Sequence, residues 1–330
     1  MSSKSGANAE DTTESPGYIY VALAADVAVA IAKLVVGLLA GSTAMLAEAA
    51  HSFADSTNQV FLLVGIRLSG RPADEAHPYG HGKEQVFWAF LAAIFIFVSG
   101  AFFSLYEGMR RVFSSEEHQG SFWPAYLVLG LSFLFAVGSL IVTWREVHHR
   151  TQELRLNFVQ FVREVPALTL KTTFYSDIAA VLGVVIAAVG LVLLQLTGNT
   201  LFDGLASILI GIILIAVALV LGLEARDLLL GASASPRDQQ EIRGAIEGFP
   251  EVVTITELLT MRLGVGSLLV TGEINIKDGL STNDIESLLQ RITARIRGAV
   301  PEAHNIYLEP HPGSRRARSI SQGAGHTGGA

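Results

Sequence analysis

The chain has 330 residues, 50% of them hydrophobic and only 16% charged, with a mean hydropathy of +0.45 and a formal net charge of −7. A soluble domain carries about a quarter charged residues, so the composition argues for a membrane part, and the acidic balance offers no basic face for nucleic acid. The absence of cysteine excludes disulfides and thiolate zinc sites, leaving histidine nitrogen and carboxylate oxygen as the metal donors.

Residues 1–17 are polar, include Glu10, Asp11 and Glu14, and lack the positive start and apolar core of a signal peptide, so they read as a disordered tail. Six apolar stretches follow: Tyr18–Ala40, Thr43–Leu68, Gln85–Tyr106, Phe122–Thr143, Ala167–Gln195 and Phe202–Leu223. Each has the roughly 20 residues that a bilayer requires. The connections at Gly41-Ser42 and at 196–200 are short, which predicts antiparallel helix pairs 1/2 and 5/6. Arg67, Arg71 and Lys83 lie between stretches 2 and 3, and Arg145, Arg150, Arg155 and Arg163 between 4 and 5. The 1/2 and 5/6 connections carry no Lys or Arg. Despite Arg110 and Arg111 on the opposite side, this bias places both termini in the cytoplasm.

After the sixth stretch the pattern becomes soluble. Ser235 opens an amphipathic helix, Val252–Leu263 and Ser267–Lys277 read as strands, Ser281 opens a second helix, and His304–Leu308 is a last strand. The expected organisation is a six-helix all-α membrane domain over 18–230, an α-β-β-α-β cytoplasmic domain over 231–312, and a disordered tail over 313–330. With no targeting segment apparent, the expected location is a bacterial plasma membrane, as a multi-pass protein.

Ionisable groups within a bilayer are costly and mark pathways or pairs. Glu48, His51 and Asp55 fall at i, i+3 and i+7 of the second helix and share one face, which Asn58 extends. Imidazole with carboxylate suits zinc and other first-row metals. Asp177 is the acidic group deep in the fifth helix, near Thr173 and Ser176; packed against the second helix it completes a site with His51 and Asp55, with water, Thr173 or Glu48 in the fourth place. Asp26 and Lys33 read as charges paired inside the bundle, and Asp203 as an interfacial cap or packing residue. Between helices 2 and 3, Asp74, His77 and His81 lie in a loop whose Pro78, Gly80 and Gly82 forbid a regular helix, and they converge on one ion. No nucleophile arrangement or cofactor motif is present, which argues against an enzyme and against any catalytic cofactor.

The pattern Ala47-Glu-Ala-Ala-His51-Ser-Phe-Ala-Asp55-Ser-Thr-Asn58-Gln and the motif Asp74-x-x-His77-Pro-Tyr-Gly-His81-Gly-Lys-Glu84 resemble the cation diffusion facilitator (zinc transporter) family. The resemblance implies a homodimer of six-helix protomers with cytoplasmic ferredoxin-like domains. It implies export of Zn2+, or of Mn2+, Fe2+, Co2+ or Cd2+, by proton antiport. The family's transport site takes two ligands from each of helices 2 and 5, four residues apart. His51 and Asp55 match the first pair, and Asp177 matches half of the second, with Thr173 where His or Asp is expected. That departure resembles the branch containing the mitochondrial zinc transporter, and makes Glu48 the candidate substitute. Asp74, His77 and His81 match the family's loop site. Glu273 and Glu309 stand where its soluble-domain site lies, but with few histidines nearby the domain is expected to serve mainly for dimerisation. Lys83 resembles a family lysine paired with an acidic residue ending helix 6, here Glu224 or Asp227. The rival reading is a membrane-anchored metal sensor or scaffold that transports nothing.

Overall fold

The computed structural model describes residues 16–113, 122–153, 157–164 and 168–312. The expected tail over 313–330, and all but the end of the one over 1–17, lie outside them. Two compact units are present. One holds residues 16–65, 88–153 and 168–224; the other holds residues 66–87, 157–164 and 225–312.

In the first unit α1 (Pro16–Ala40) begins on a proline, suited to a first turn whose N–H groups have no helical partner. It ends at Gly41, whose φ of 61° is the left-handed stop that glycine adopts without strain. Ala30, Lys33, Gly37 and Ala40 form its buried stripe, while Leu38 and Leu39 on the other face are 65% and 72% exposed. α2 is Thr43–Ser69. α3 runs Lys83–Phe113, with Ile96–Phe102 wound as a π-helix. α4 is Trp123–Glu153, α5 Phe158–Glu164, α6 Leu168–Thr197 and α7 Leu201–Leu230. The short α5, which hydrophobicity alone did not reveal, starts with reciprocal capping: Gln160 N–H donates to Asn157 Oδ1 at 2.9 Å and Asn157 N–H to Gln160 Oε1 at 3.0 Å.

Among the described residues, four helices are long and apolar enough to cross a membrane: Lys83–Phe113, Trp123–Glu153, Leu170–Thr197 and Leu201–Leu230. These are four of the six spans expected from sequence. α2 is long enough at 27 residues, but Glu48, His51, Asp55 and Arg67 dilute its apolar character. Helices in this unit cross where small residues let backbones approach. A methyl group on Gly108 of α3 would meet Gly204 O of α7 at 2.8 Å, and one on Gly204 would meet Gly108 O at 2.9 Å. Ser207 Oγ donates to Ser104 O at the same crossing (2.8 Å).

In the second unit, α8 (Pro236–Glu247), β1 (Val252–Gly264), β2 (Ser267–Ile276), α9 (Thr282–Ala299) and β3 (Asn305–Pro312) give the expected α-β-β-α-β order. The sheet order is β1-β2-β3, with β1 antiparallel and β3 parallel to β2. Leu268, Val270, Ile274 and Ile276 alternate along β2 and bury one face against Ile242 and Ile246 of α8 and Leu288, Ile292 and Ile296 of α9. Both helices are capped as the sequence predicts. Ser235 Oγ accepts from Asp238 N–H, and Ser281 and Asp284 make a full capping box. Arg262, 3% exposed, bridges Glu302 (2.8 Å) and Asp238 (3.4 Å).

Candidate metal centres

The helical rise of α2 puts His51 and Asp55 one turn apart, with His51 Nε2 3.4 Å from Asp55 Oδ2. His51 is 2% exposed, yet neither ring nitrogen has a hydrogen-bond partner. The same is true of Asn58 Oδ1 on α2 and Ser176 Oγ on α6. Buried polar atoms are normally satisfied, so the unpaired imidazole of His51 is a place where a ligand has something to gain.

Asp177 of α6 does not join His51 and Asp55 in this conformation. Its carboxylate accepts from Ser139 Oγ at 2.8 Å and from Thr143 Oγ1 at 2.6 Å, both on α4. The packing of α6 on α4 brings those hydroxyls to it, and the three-donor set expected from sequence is not assembled. Thr173 lies partly buried one turn earlier on α6. Glu48 is likewise engaged elsewhere: Lys33 Nζ on α1 donates to its Oε2 at 2.9 Å. Asp26, the other charge expected to pair inside the bundle, accepts from Gln59 Nε2 at 2.7 Å.

The loop set is assembled. Asp74, His77 and His81 present donor atoms all within 4.8 Å of one another. Asp74 Oδ1 accepts from the His77 N–H at 2.6 Å and faces His77 Nδ1 at 3.2 Å, while Oδ2 faces His81 Nε2 at 3.1 Å. Gly80, with φ of 84°, supplies the turn between the histidines. The His77 backbone N–H, and then the His81 side chain, hold the Asp74 carboxyl below the usual aspartate range. Gly82, next to His81, packs backbone to backbone on Gly264 at the end of β1; a side chain on Gly264 would overlap it. Lys83 donates to Leu229 O at 3.2 Å and not to Asp227, whose partner is Arg226 at 3.4 Å. Glu224, the other acidic candidate, is taken by Lys171 at 2.6 Å. The expected Lys83 pairing is therefore not formed within this chain.

A further set of three donors is Glu273, Glu309 and His311. Glu273 and Glu309 are register partners across β2 and β3, and His311 Nε2 lies 3.8 Å from the first and 3.6 Å from the second.

Residues 19–230 match the family model for the cation efflux transmembrane domain, and residues 234–311 that for the cation efflux protein, cytoplasmic domain. The chain belongs to the cation efflux (cation diffusion facilitator) family. As a member of it, the chain is an integral membrane protein with apolar spanning helices. It is 30% identical to the human mitochondrial proton-coupled zinc antiporter SLC30A9, over 79% of this chain and 47% of that protein. It is 30% identical to metal tolerance protein C4 of Arabidopsis thaliana, over 71% of this chain and 51% of that protein. The chain thus spans about half the length of these curated relatives. It is 25% identical to the cation-efflux pump FieF of Shewanella oneidensis, over 89% of this chain and 95% of that protein.

Two features of this cation efflux protein escaped the sequence reading. His311 was missed because Pro310 and Pro312 argue against a strand continuing past Leu308. β3 is an edge strand, where proline is tolerated, so it extends to Pro312 and carries His311 alongside Glu309. The Lys33–Glu48 pairing was missed because nothing in either segment alone sets the register of α1 against α2.

Proposed function

We propose that this protein carries a divalent transition-metal ion, Zn2+ first among them, across a membrane in exchange for protons, exporting it from the cytoplasm by alternating access. The observation that carries this reading is the buried His51, whose ring makes no hydrogen bond although Asp55 lies 3.4 Å away. A neutral imidazole beside a carboxylate is a metal-binding pair, and protons compete with metal for the same nitrogen. Membership of the cation efflux family, and the naming of a relative as a proton-coupled zinc antiporter, support the same reading.

His51 and Asp55 receive the transported ion, and Asp177 joins them when α6 moves toward α2 and gives up Ser139 and Thr143. Ser176, Asn58 and Thr173 line the passage, while Glu48, one turn before His51, stays paired with Lys33. Charge stays balanced because either metal or protons neutralise the carboxylates in each half-cycle. The motion is a displacement of one helix group against another. Asp74, His77 and His81 would hold a second ion at the aqueous edge. Their mixed nitrogen and oxygen donors suit Zn2+ before Mn2+, while the oxygen-rich transport set admits Fe2+, Mn2+, Co2+ and Cd2+.

In this reading residues 18–230 form a six-helix transmembrane domain in which α1 and α2 also span. Residues 231–312 form a ferredoxin-like cytoplasmic domain through which two copies dimerise, and both termini face the cytoplasm of a bacterial cell. Lys83 and Asp227 act near the dimer axis, where each has a partner beyond its own chain.

The test is metal uptake into proteoliposomes loaded with a pH-sensitive dye. Zn2+ movement with opposite proton flow, lost in Asp177→Ala, is expected. Uptake without proton movement makes the protein a uniporter or channel. Binding with no uptake of Zn2+, Mn2+, Fe2+ or Co2+ makes it a membrane-anchored sensor.

A further inference from the structure

The transmembrane unit contains a charge pair that the proposed ion site does not use. Lys33 is 4% exposed and Glu48 fully buried. Lys33 Nζ donates to Glu48 Oε2 at 2.9 Å and to Ser52 Oγ at 2.8 Å, so one cation holds residues on either side of His51. The other carboxylate oxygen, Oε1, is buried and has no hydrogen-bond partner. It lies against Gly183 of α6, where a methyl group would collide with it. The glycine is what lets α6 accommodate the carboxylate.

Two desolvated charges are expensive to keep, and a well-packed apolar pair of similar volume is often as stable or more so. Their retention therefore calls for a role beyond packing. Glu48 precedes His51 by three residues and shares its face of α2. A free carboxylate at that position has the reach to join an ion held by His51 and Asp55. A fuller shell binds more tightly and releases more slowly, whereas a transported ion needs a site that stays incomplete. Lys33 occupies one oxygen of Glu48 and cancels its charge, and the packing on Gly183 fixes where the other oxygen points.

We propose that Lys33 is a positioning residue that withholds Glu48 from the transported ion, keeping the transmembrane site open and its affinity low enough for release. This rests on the metal site proposed at His51 and Asp55. Zn2+ affinity is measured on the purified full chain carrying His77→Ala, His81→Ala and His311→Ala, so that the loop and soluble-domain donors are silent.

Lys33→Met is expected to bind Zn2+ at least about tenfold more tightly with unchanged stoichiometry and to turn over more slowly. Adding Glu48→Gln returns the affinity to within about twofold of the reference, and Lys33→Arg, which keeps the cation, leaves it unchanged. Glu48→Gln alone preserves shape and decides the question even where Lys33→Met does not fold. An affinity within about twofold of the reference supports a withheld carboxylate, and a loss of about tenfold makes Glu48 a ligand and overturns the proposal. A folded Lys33→Met with unchanged affinity overturns it as well. If Asp55→Asn binds Zn2+ as well as the reference does, it is the metal-site reading that fails.

Discussion

Asp203 of α7 caps the first turn of α2 by accepting from both the backbone N–H and the hydroxyl of Thr43, at 2.6 and 2.8 Å through Oδ2. Its Oδ1 accepts from Ser42 Oγ and from the Ala44 N–H at 3.3 Å. The carboxylate is fully buried and does for α2, from another helix, what a local N-cap side chain does elsewhere. Asp203→Ala leaves several buried donors unpaired and is expected to destabilise the transmembrane unit by about 3 kcal/mol. The check is the unfolding midpoint in detergent, with Zn2+ binding by Asp74, His77 and His81 as a control that should not change.

In the proposed site, Asp177 meets the ion by leaving Ser139 and Thr143. Replacing Thr143 by valine removes the 2.6 Å hydrogen bond while keeping the side-chain volume. Because a hydrogen bond to a charged group contributes about 1.5–3 kcal/mol, Thr143→Val should raise metal affinity at the transmembrane site by about tenfold. Isothermal titration in the background lacking loop histidines measures it, and unchanged affinity would mean that Asp177 stays on α4 when metal is bound.

At the loop, His81→Ala is expected to remove one bound Zn2+ per chain by titration. The charged form of Asp74 is favoured by the His77 N–H and the His81 ring, so its carboxyl lies below the ordinary range. The sign follows: the order that Asp74 gives this loop is complete above the unfolded aspartate pKa of about 3.9 and is lost only as pH falls through the depressed value. The carboxyl carbon resonance of Asp74 should therefore titrate below that of a free aspartate. His81→Ala should raise the midpoint more than His77→Ala, which leaves the backbone donor in place. A midpoint at the ordinary value would contradict the arrangement.

In the C-terminal domain, Arg262→Ala leaves Glu302 and Asp238 without their shared cation. Since both carboxylates are partly exposed and water takes over part of the arginine's role, a cost of about 2 kcal/mol is expected, below that of breaking a fully buried pair. Hydrogen exchange on the full chain should speed up in β1 and α8 while the α6 amides keep their protection.

Much of this is legible in the sequence itself. The α-β-β-α-β order, both serine caps and the Asp74-His77-His81 cluster are local, set by alternation, capping chemistry and turn residues within a few positions of one another. His51 and Asp55 follow from helical geometry alone. What the sequence withheld depends on which helices meet. Asp177 sits on α4 hydroxyls, Glu48 on Lys33, and Asp203 on the start of α2, and each of these partnerships is fixed by packing between segments far apart in the chain. Composition has a limit of its own: a helix that carries Glu48, His51 and Asp55 is too polar to be counted as a span on hydropathy alone.

The π-helical stretch Ile96–Phe102 has a consequence for how α3 is phased. Before it, Phe95 stacks with Phe53 and Phe61 of α2; within it, Gly100 sits against Leu214 and Ala54; after it, Gly108 meets Gly204. A wider turn shifts the angular position of everything downstream relative to a regular helix. The two halves of α3 therefore pack differently: both touch α7, at Ala93–Gly222 and at Gly108–Gly204, and the first adds aromatic contacts on α2. The wider turn thus lets one unbroken rod present aromatic rings to α2 at one end and a glycine crossing to α7 at the other.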